Sequence, residues 1–245
     1  MGGEMFETMP MTPTETNNPF ATTIEFHEPF SCYEPAVGLL RPGAQQSKRV
    51  LDILFALLLA AVALPFAVVI AIAIRLETRG PIFFRHERIG KHGRRFGLWK
   101  FRYMVVNADA LLDEYLDRHP ERRLEWDAKQ KLKDDPRATR VGRLLRRTSL
   151  DELPQIWNIL RGDMSMVGPR PIVADEIGKY GSAYELYSQV APGLTGVWQV
   201  SGRNSTSYAE RTQIDSDYIR GWTLGGDLQI LLRTIPVVLG HRNAY

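Results

Sequence analysis

The chain has 245 residues, long enough for one catalytic domain with appendages. Of these, 44% are hydrophobic and 24% are charged, a composition that excludes wholesale disorder and fibrous repeats. Its single cysteine, Cys32, cannot form a disulfide within the chain, and its five histidines have no metal-ligand spacing, so disulfide and zinc scaffolds are excluded. Six Glu and one Arg give residues 1–47 a net charge of −5, and because the whole chain carries +3, the remaining residues carry +8. This basic part suits a polyanionic partner: nucleic acid, an anionic lipid surface or a phosphorylated substrate.

Residues 1–47 form a segment rich in Pro, Thr, Asn and Glu without a sustained hydrophobic period. Ordering such a segment would cost backbone entropy that little apolar burial could offset, so we expect an extended or disordered arm. The arm does not begin with a basic stretch followed by an apolar one, and it is therefore not expected to be a cleavable secretion signal.

An uninterrupted apolar run follows, from Ile53 to Ile74, and it predicts a membrane helix over residues 48–75. At about 1.5 Å per residue the run is roughly 33 Å long, enough to cross a hydrocarbon core of about 30 Å. Pro65 near its middle predicts a break in the helix. Basic residues flank both ends, so two arrangements stay open: a spanning helix with its more basic C-terminal side in the cytoplasm, and a kinked hairpin that enters and leaves the same leaflet.

The remainder has the composition of a soluble domain. Turn signals separate two short predicted strands, residues 82–84 and 96–101, which together predict a hairpin. Strand alternation would place Lys100 and Arg102 on one face. Helices are predicted over 107–118 and 121–132, and a capping box at Ser207 begins another helix. The apolar stretch 228–239 fits two interpretations equally well: a helix in the membrane interface, or a terminal helix packed on the core.

The densest cluster of reactive side chains is Thr148–Pro154, which holds the adjacent carboxylates Asp151 and Glu152 after several arginines. On its own, Ser149 followed by Glu152 indicates only a helix cap. The next stretch, residues 158–171, joins a glycine-rich turn to a stiff Pro-Arg-Pro sequence, which can present backbone amides and a guanidinium to a phosphate. Each of these motifs in isolation is also explained by an ordinary turn.

Taken together, the motifs resemble the bacterial sugar transferases, the monotopic polyprenyl-phosphate phosphoglycosyl transferases. The similarity covers roughly residues 47–240, and the motifs follow one another in this order: Lys48-Arg49 with Asp52, Pro81–Phe84, Arg88–Gly90, Lys100–Arg102, Asp135–Arg137, Ser149–Gln155, Arg161–Ser165, Val167–Pro171, Pro192–Gly196 and Gly202-Arg203. Tyr103 stands where the family usually has Ser or Thr, and Leu64-Pro65 stands where some members have Ser-Pro. The chain looks most similar to the short enzymes that start exopolysaccharide units with galactose or glucose 1-phosphate.

The resemblance implies a helix-dominated α+β fold with one kinked, re-entrant membrane helix broken near Pro65. It also implies a catalytic domain over residues 76–245, on the cytoplasmic face of the bacterial inner membrane, with a C-terminal interfacial helix. Undecaprenyl phosphate, a UDP-sugar and membrane lipid are the expected partners, and no nucleic acid is expected. The sequence leaves open the choice between galactose and glucose and the oligomeric state, including a homodimer.

The reaction that the resemblance implies is transfer of hexose 1-phosphate from the UDP-sugar to undecaprenyl phosphate, with release of UMP and with magnesium (Mg²⁺) as cofactor. Asp151 would be the nucleophile that forms an aspartyl phosphosugar, kept ionised by a helix N-terminus. Glu152 would be catalytic and would bind the metal. The other residues assigned to substrate are Lys100, Arg102, Gly162, Asp163, Ser165, Pro169, Arg170 and Pro171. Trp157 and Trp198 are expected in the core rather than against uracil.

Three other functions compete with this one. A glycosyltransferase that moves the sugar alone would release UDP, and a membrane-anchored interaction protein would keep the scaffold without turnover. A basic nucleic-acid binder is disfavoured, because the chain contains no recognised binding module and that function leaves residues 53–74 unexplained.

Overall fold

The computed structural model describes residues 38–129, 132, 134–201 and 206–240. Residues 1–37 of the predicted arm, residues 130–131 of a predicted helix, and the Gly202-Arg203 motif lie outside these ranges. Within the described part, residues 38–40 form a 3-10 turn, and Leu39 is only 2% exposed because it packs into the core. The folded chain therefore begins before residue 48, and the predicted boundary at residue 47 is too late.

Helix α1 runs from Ala44 to Glu77, 34 residues, and by length and composition it could cross a membrane. The helix continues through Pro65, so the predicted break is not observed. A proline in a helix removes one backbone hydrogen bond and strains the preceding turn, which costs stability but does not by itself end a helix that is held by its neighbours.

One side of α1 packs against the rest of the protein along its whole length. The buried residues follow one another at spacings of four and seven: Lys48, Asp52, Ala56, Ala63, Ile70 and Ile74. The other side exposes large apolar residues, among them Leu54, Leu58, Val62, Val69 and Ile72. Such a helix has one face for the protein and one apolar face that water would not solvate well.

The basic residues at the start of α1 serve the protein rather than a lipid surface. The Lys48 ammonium lies 2.5 Å from a carboxylate oxygen of Asp227 and 3.7 Å from one of Asp52. Arg49 donates to the backbone carbonyls of Ile159 and Leu160, at 2.5 and 2.8 Å. Both positive charges are therefore bound by groups of the protein itself, so they are weak evidence for the orientation of α1 in a membrane.

After α1, strands β1 (Phe83–Ile89) and β2 (Arg95–Phe101) form the predicted antiparallel hairpin. The turn between them contains His92 with φ of 57°, a backbone conformation that side-chain-bearing residues adopt mainly in tight turns. Helices α2 (Ala108–Arg118) and α3 (Pro120–Lys129) confirm the predicted helix pair. They enclose a small apolar cluster of their own.

The catalytic candidates lie in the next segment, which comprises α4 (Arg140–Thr148), a 3-10 turn (Leu150–Glu152), α5 (Gln155–Arg161) and β3 (Ser165–Val167). Strand β3 pairs in parallel with β4 (Gly193–Thr195), and Gly193 is required there because a side chain would meet the backbone nitrogen of Gly168 at 2.1 Å. The short helices around this pair are α6 (Ile177–Tyr180), α7 (Ala183–Ser188) and α8 (Val197–Ser201).

Two longer helices complete the described chain: α9 (Tyr208–Arg220) and α10 (Leu224–Leu239). Ser207 and Glu210 cap α9 reciprocally, which confirms the predicted capping box. Helix α10 buries Asp227 and Ile230 and exposes the stripe Leu224, Leu228, Leu232 and Ile235. It is therefore packed on the core along one side and apolar on the open side. The described part is helix-dominated, as predicted, and has two small two-stranded sheets, of which only the β1–β2 hairpin was predicted.

Candidate active site

Asp151 and Glu152 lie in the 3-10 turn between α4 and α5. Ser149 just before them has φ of 58° and ends α4, with its N–H bonded to the Arg146 carbonyl at 3.3 Å. The Ser149 side chain caps no helix, so the predicted capping box at this position is wrong. The left-handed residue redirects the chain sharply after α4 and buries the Asp151 side chain, which is 7% exposed, whereas that of Glu152 is 37% exposed.

Lys100 of β2 connects the two carboxylates. Its ammonium lies 2.8 Å from Glu152 Oε1 and 3.5 Å from Asp151 Oδ2. Burial lowers the pKa of Lys100, but Glu152 and Asp151 outweigh this effect and the pKa is raised overall. Lys100 is therefore a fixed positive charge beside both acids.

Burial, together with the neighbouring Glu152 charge, raises the pKa of Asp151 to about 6 against the opposing attraction of Lys100. The expectation that a helix N-terminus keeps Asp151 ionised is therefore wrong: the residue is in a short 3-10 turn, and desolvation is the dominant effect. A carboxylate of this kind is still largely ionised near neutral pH but is less stabilised by solvent than a surface aspartate.

The predicted Pro169-Arg170-Pro171 segment is held by its backbone. The Pro169 carbonyl accepts from the Gly193 N–H at 2.8 Å, and the Arg170 carbonyl accepts from the Tyr187 hydroxyl at 3.3 Å. Both prolines are buried, whereas Arg170 is exposed. The segment therefore presents one guanidinium from a rigid support, as the sequence predicted.

The Arg170 guanidinium lies 5.5 Å from the centre of the Trp198 ring. Its charge also lowers the pKa of Lys100, which places the two cations in one electrostatic neighbourhood. Trp198 is partly buried, and its ring N–H donates to the Thr206 hydroxyl at 2.9 Å. Trp157, in contrast, is 56% exposed, so its predicted place in the core is wrong.

Sequence reasoning missed two residues of the same region, His86 and Arg88 of β1. Alternation along β1 puts both on the hairpin face that carries Lys100, since Phe84 pairs with Lys100 in the register. Arg88 Nη1 donates to the Pro171 carbonyl at 3.5 Å. A predicted strand that continued beyond residue 84 would have revealed this alternation.

The assignment of Arg102 to substrate is not supported by its contacts. Strand β2 ends at Phe101, so the alternation that grouped Arg102 with Lys100 no longer applies. Arg102 is 7% exposed, and its guanidinium donates to the Thr78 and Arg79 carbonyls, each at 3.1 Å, and to the Thr78 hydroxyl at 2.7 Å. Arg102 therefore fastens the end of α1 to the strand that carries Lys100.

Gly162 and Asp163 lie in the turn between α5 and β3, and Ser165 is the first residue of β3. Asp163 accepts from Asn158 at 3.3 Å, and the buried Ser165 hydroxyl donates to the Val167 carbonyl at 2.8 Å. Within the described ranges, none of the three forms a hydrogen bond or an ion pair with Asp151. The turn and the start of β3 pack instead on the first part of α1, near Arg49 and Asp52.

An apolar groove of about 580 Å³ lies between α1 and the body of the protein. Phe83, Trp99 and Phe101, from the hairpin face opposite Lys100, form one wall, and Leu153 and Pro154 follow directly after Glu152. The remaining lining residues are Ala60, Ala63, Leu64, Ala67, Val68, Ala71, Ile156, Trp157 and Leu160. Asp151 thus lies between its ion-pair partner Lys100 and, two residues further along the chain, the groove-lining Leu153.

The chain's own residues offer an incomplete metal site. Within the ranges that the structure describes, no group of three His, Cys, Asp or Glu side chains could hold an ion. Magnesium, however, is commonly held by one or two carboxylates together with substrate phosphates and water. Glu152, the more exposed of the two acids, fits the protein's part of such a shared site.

Comparison with known proteins gives consistent matches. A sequence model of the family described as "Bacterial sugar transferase" matches residues 43–241. The exopolysaccharide production protein ExoY of Sinorhizobium fredii is 46% identical over 208 residues, covering 85% of this chain and 92% of that protein. The UDP-glucose:undecaprenyl-phosphate glucose-1-phosphate transferase of Caulobacter vibrioides is 42% identical over 219 residues, covering 86% of this chain and 76% of that protein.

The UDP-galactose-lipid carrier transferase of Erwinia amylovora is 47% identical over 198 residues, which are 81% of this chain. The chain spans only 41% of that relative's length. Relatives thus differ in both overall length and the sugar in their names.

Proposed function

Because this chain belongs to the bacterial sugar transferase family, we propose that it transfers hexose 1-phosphate, with galactose or glucose as the hexose, from a UDP-sugar to undecaprenyl phosphate and releases UMP. This would be the first membrane step of exopolysaccharide synthesis. The names of the relatives support the substrates, and the site supports the reaction. The observation that carries the proposal is the position of the buried Asp151 beside the ammonium of Lys100 and two residues before Leu153, which lines the apolar groove.

The β1–β2 hairpin separates the environments that the two substrates need. One face carries Lys100 and Arg88, which suit the diphosphate of a nucleotide sugar. The opposite face carries Phe83, Trp99 and Phe101, which line the groove and suit an isoprenoid chain. A lipid phosphate whose chain lies in the groove would place its phosphate at the end of the groove lined by Leu153. Leu153 directly follows Asp151 and Glu152 in the chain, so the phosphate would lie near them.

In the first half of the reaction, an Asp151 carboxylate oxygen attacks the sugar-bearing phosphorus, and the bond from that phosphorus to the bridging oxygen breaks. The electron pair leaves with UMP, and the sugar phosphate stays on Asp151 as an acyl phosphate. Partial desolvation makes the Asp151 oxygen less stabilised by water than an exposed carboxylate, while Lys100 reduces repulsion between the two anions.

In the second half, an oxygen of undecaprenyl phosphate attacks the same phosphorus, and Asp151 leaves as a carboxylate. Lys100 and Arg170 hold the phosphoryl oxygens in both halves, since both cations belong to the same electrostatic neighbourhood. Glu152 would hold Mg²⁺ together with substrate phosphates, and the ion would neutralise charge that develops on the phosphoryl oxygens.

The packing of α1 supports a position on one side of the membrane. Near its start, Lys48 pairs with Asp227 of α10, and at its end Glu77 accepts from the backbone N–H groups of Arg140 and Val141 at 2.7 and 3.0 Å. A helix held by the same body at both ends is expected to enter the bilayer from the cytoplasmic face and not to cross it. The exposed apolar side of α10 would lie in the same interface.

The direct test is the nucleotide released when purified protein is mixed with UDP-galactose or UDP-glucose, Mg²⁺ and undecaprenyl phosphate. We expect UMP from the wild type and none from Asp151→Asn, with the better donor identifying the hexose. A matched control, Asp113→Asn on the exposed side of α2, should behave as the wild type. Release of UDP, or UMP release by Asp151→Asn at the wild-type rate, would reject the proposal.

A further inference from the structure

His86 lies in the middle of the charged face of the hairpin. Phe84, His86 and Arg88 alternate on β1, and the register places Lys100 opposite Phe84 and Leu98 opposite His86. One end of this row reaches Asp151 through Lys100, and the other reaches the Pro171 carbonyl through Arg88. His86 is exposed, so a ligand that runs along the row can reach it.

The hydrogen bonding of His86 defines which ring nitrogen carries the proton. Arg88 Nη2 lies 3.3 Å from His86 Nδ1, and because a guanidinium can only donate, Nδ1 is the acceptor. Burial, with the charges of Arg88 and Lys100, lowers the pKa of His86 below its usual value. The ring is therefore neutral near pH 7 with its proton on Nε2, and within the described part of the chain Nε2 has no hydrogen-bond partner.

We infer that the Nε2–H of His86 donates a hydrogen bond to the phosphate of UMP as it departs, when Asp151 attacks the sugar-bearing phosphorus. This rests on the proposed function. As the phosphorus–oxygen bond of the donor breaks, negative charge grows on the oxygen that leaves with UMP. A donor fixed in advance stabilises that charge more in the transition state than in the bound substrate. His86 keeps its proton throughout, so the step needs no further acid.

The test is the burst of UMP release from donor alone, without lipid acceptor, because this isolates formation of the phosphosugar on Asp151. We expect His86→Ala to lower the maximal burst rate by roughly 10- to 100-fold, with the half-saturating donor concentration changed by less than about threefold. His86→Gln should retain most of the rate, since its amide oxygen can accept from Arg88 while its N–H donates.

The matched control is His92→Asn in the turn of the same hairpin, where asparagine tolerates the observed left-handed backbone and the burst should be unchanged. A burst rate of His86→Ala within twofold of wild type would overturn the inference. So would a loss confined to donor affinity, or a His86→Gln variant as slow as His86→Ala. Release of UDP by the wild type would instead reject the proposed function itself, and the inference with it.

Discussion

Asp151 is buried, yet its proposed role requires a negative charge. The side chain is 7% exposed, and Lys100 at 3.5 Å compensates only part of the cost of burial, so its pKa is raised to about 6. An aspartate of this kind is deprotonated near neutral pH without being strongly solvated. The protonation state of Asp151, and with it the reactivity of its carboxylate, therefore changes just below neutral pH, where surface aspartates stay ionised.

The pH dependence of the reaction follows from this raised pKa. As pH falls through about 6, Asp151 gains a proton and loses the electron pair that attacks phosphorus, so kcat/KM should decline about tenfold per pH unit below that point. Initial rates of UMP release between pH 5 and 8 would measure it, with circular dichroism at each pH to show that the fold persists. An acidic limb centred near pH 4 would contradict the prediction.

The same residue should reduce the stability of the folded protein above pH 6. Its folded pKa is higher than the usual 3.8, so the ionised carboxylate destabilises the native state at pH 8, and this penalty is relieved as pH falls through about 6. Asp151→Asn should raise the free energy of unfolding at pH 8 by up to about 2–3 kcal/mol. Thermal unfolding in detergent would show a higher Tm for the variant at pH 8 and a smaller difference at pH 5. An equal difference at both pH values would contradict this account.

Part of the candidate site was identifiable before the structure. The family resemblance assigned Asp151, Glu152, Lys100 and Arg170, and the structure brings Lys100 into contact with both acids. Arg102 was misassigned, because its role depends on where β2 ends and on the carbonyls at the end of α1. Such tertiary contacts are not encoded in local spacing.

At the scale of elements, the β1–β2 hairpin organises the site. Its turn residues and alternating pattern made the hairpin predictable. Helical spacing of apolar residues did the same for α2 and α3, and a capping box for the start of α9. The continuity of α1 through Pro65 was not predictable, because it depends on packing partners that the sequence alone does not reveal. The two faces of the hairpin lead to a prediction about the groove.

Filling the groove should impair the second half of the reaction and spare the first. Ala67 lines the groove and is partly buried, so Ala67→Phe would occupy space that the acceptor chain needs. We expect at least a tenfold rise in KM for undecaprenyl phosphate, with the UMP burst in the absence of acceptor within about twofold of wild type. Steady-state and burst kinetics separate the two effects.

The matched control for this variant is Val69→Phe, on the side of α1 that faces away from the protein, where Val69 is 66% exposed. It adds similar bulk to the same helix and should leave both halves of the reaction unchanged. An equal rise in KM for both variants, or none for Ala67→Phe, would show that the groove does not hold the acceptor.

At the scale of the whole molecule, α1 connects the site to the long apolar surface that we propose faces the membrane. It contacts α10 near its start and α4 near its end, and α4 leads directly into the turn that carries Asp151. The apolar face that remains exposed on α1 is long, but the ends of the helix are held by one body. In the proposed function, this arrangement would fix the depth of Asp151 relative to the lipid headgroups and so to the acceptor phosphate.

The ends of α1 should therefore be accessible from the same side of the membrane. In a Cys32→Ser background, Gln46→Cys and Arg79→Cys place a thiol at exposed positions near the two ends, and Asp113→Cys marks the catalytic domain. A membrane-impermeant maleimide should label none of the three in intact spheroplasts and all three after lysis. Labelling of only one end of α1 in intact spheroplasts would show that the helix crosses the bilayer.

The central claim is that Asp151 carries the sugar phosphate between donor and acceptor. Intact-protein mass spectrometry after incubation with UDP-galactose or UDP-glucose and Mg²⁺, without undecaprenyl phosphate, tests it most directly. We predict a mass increase of one hexose phosphate located on the peptide that contains Asp151, absent from Asp151→Asn and lost when undecaprenyl phosphate is added. Turnover to the lipid product without any such adduct, or an adduct on another residue, would contradict the account.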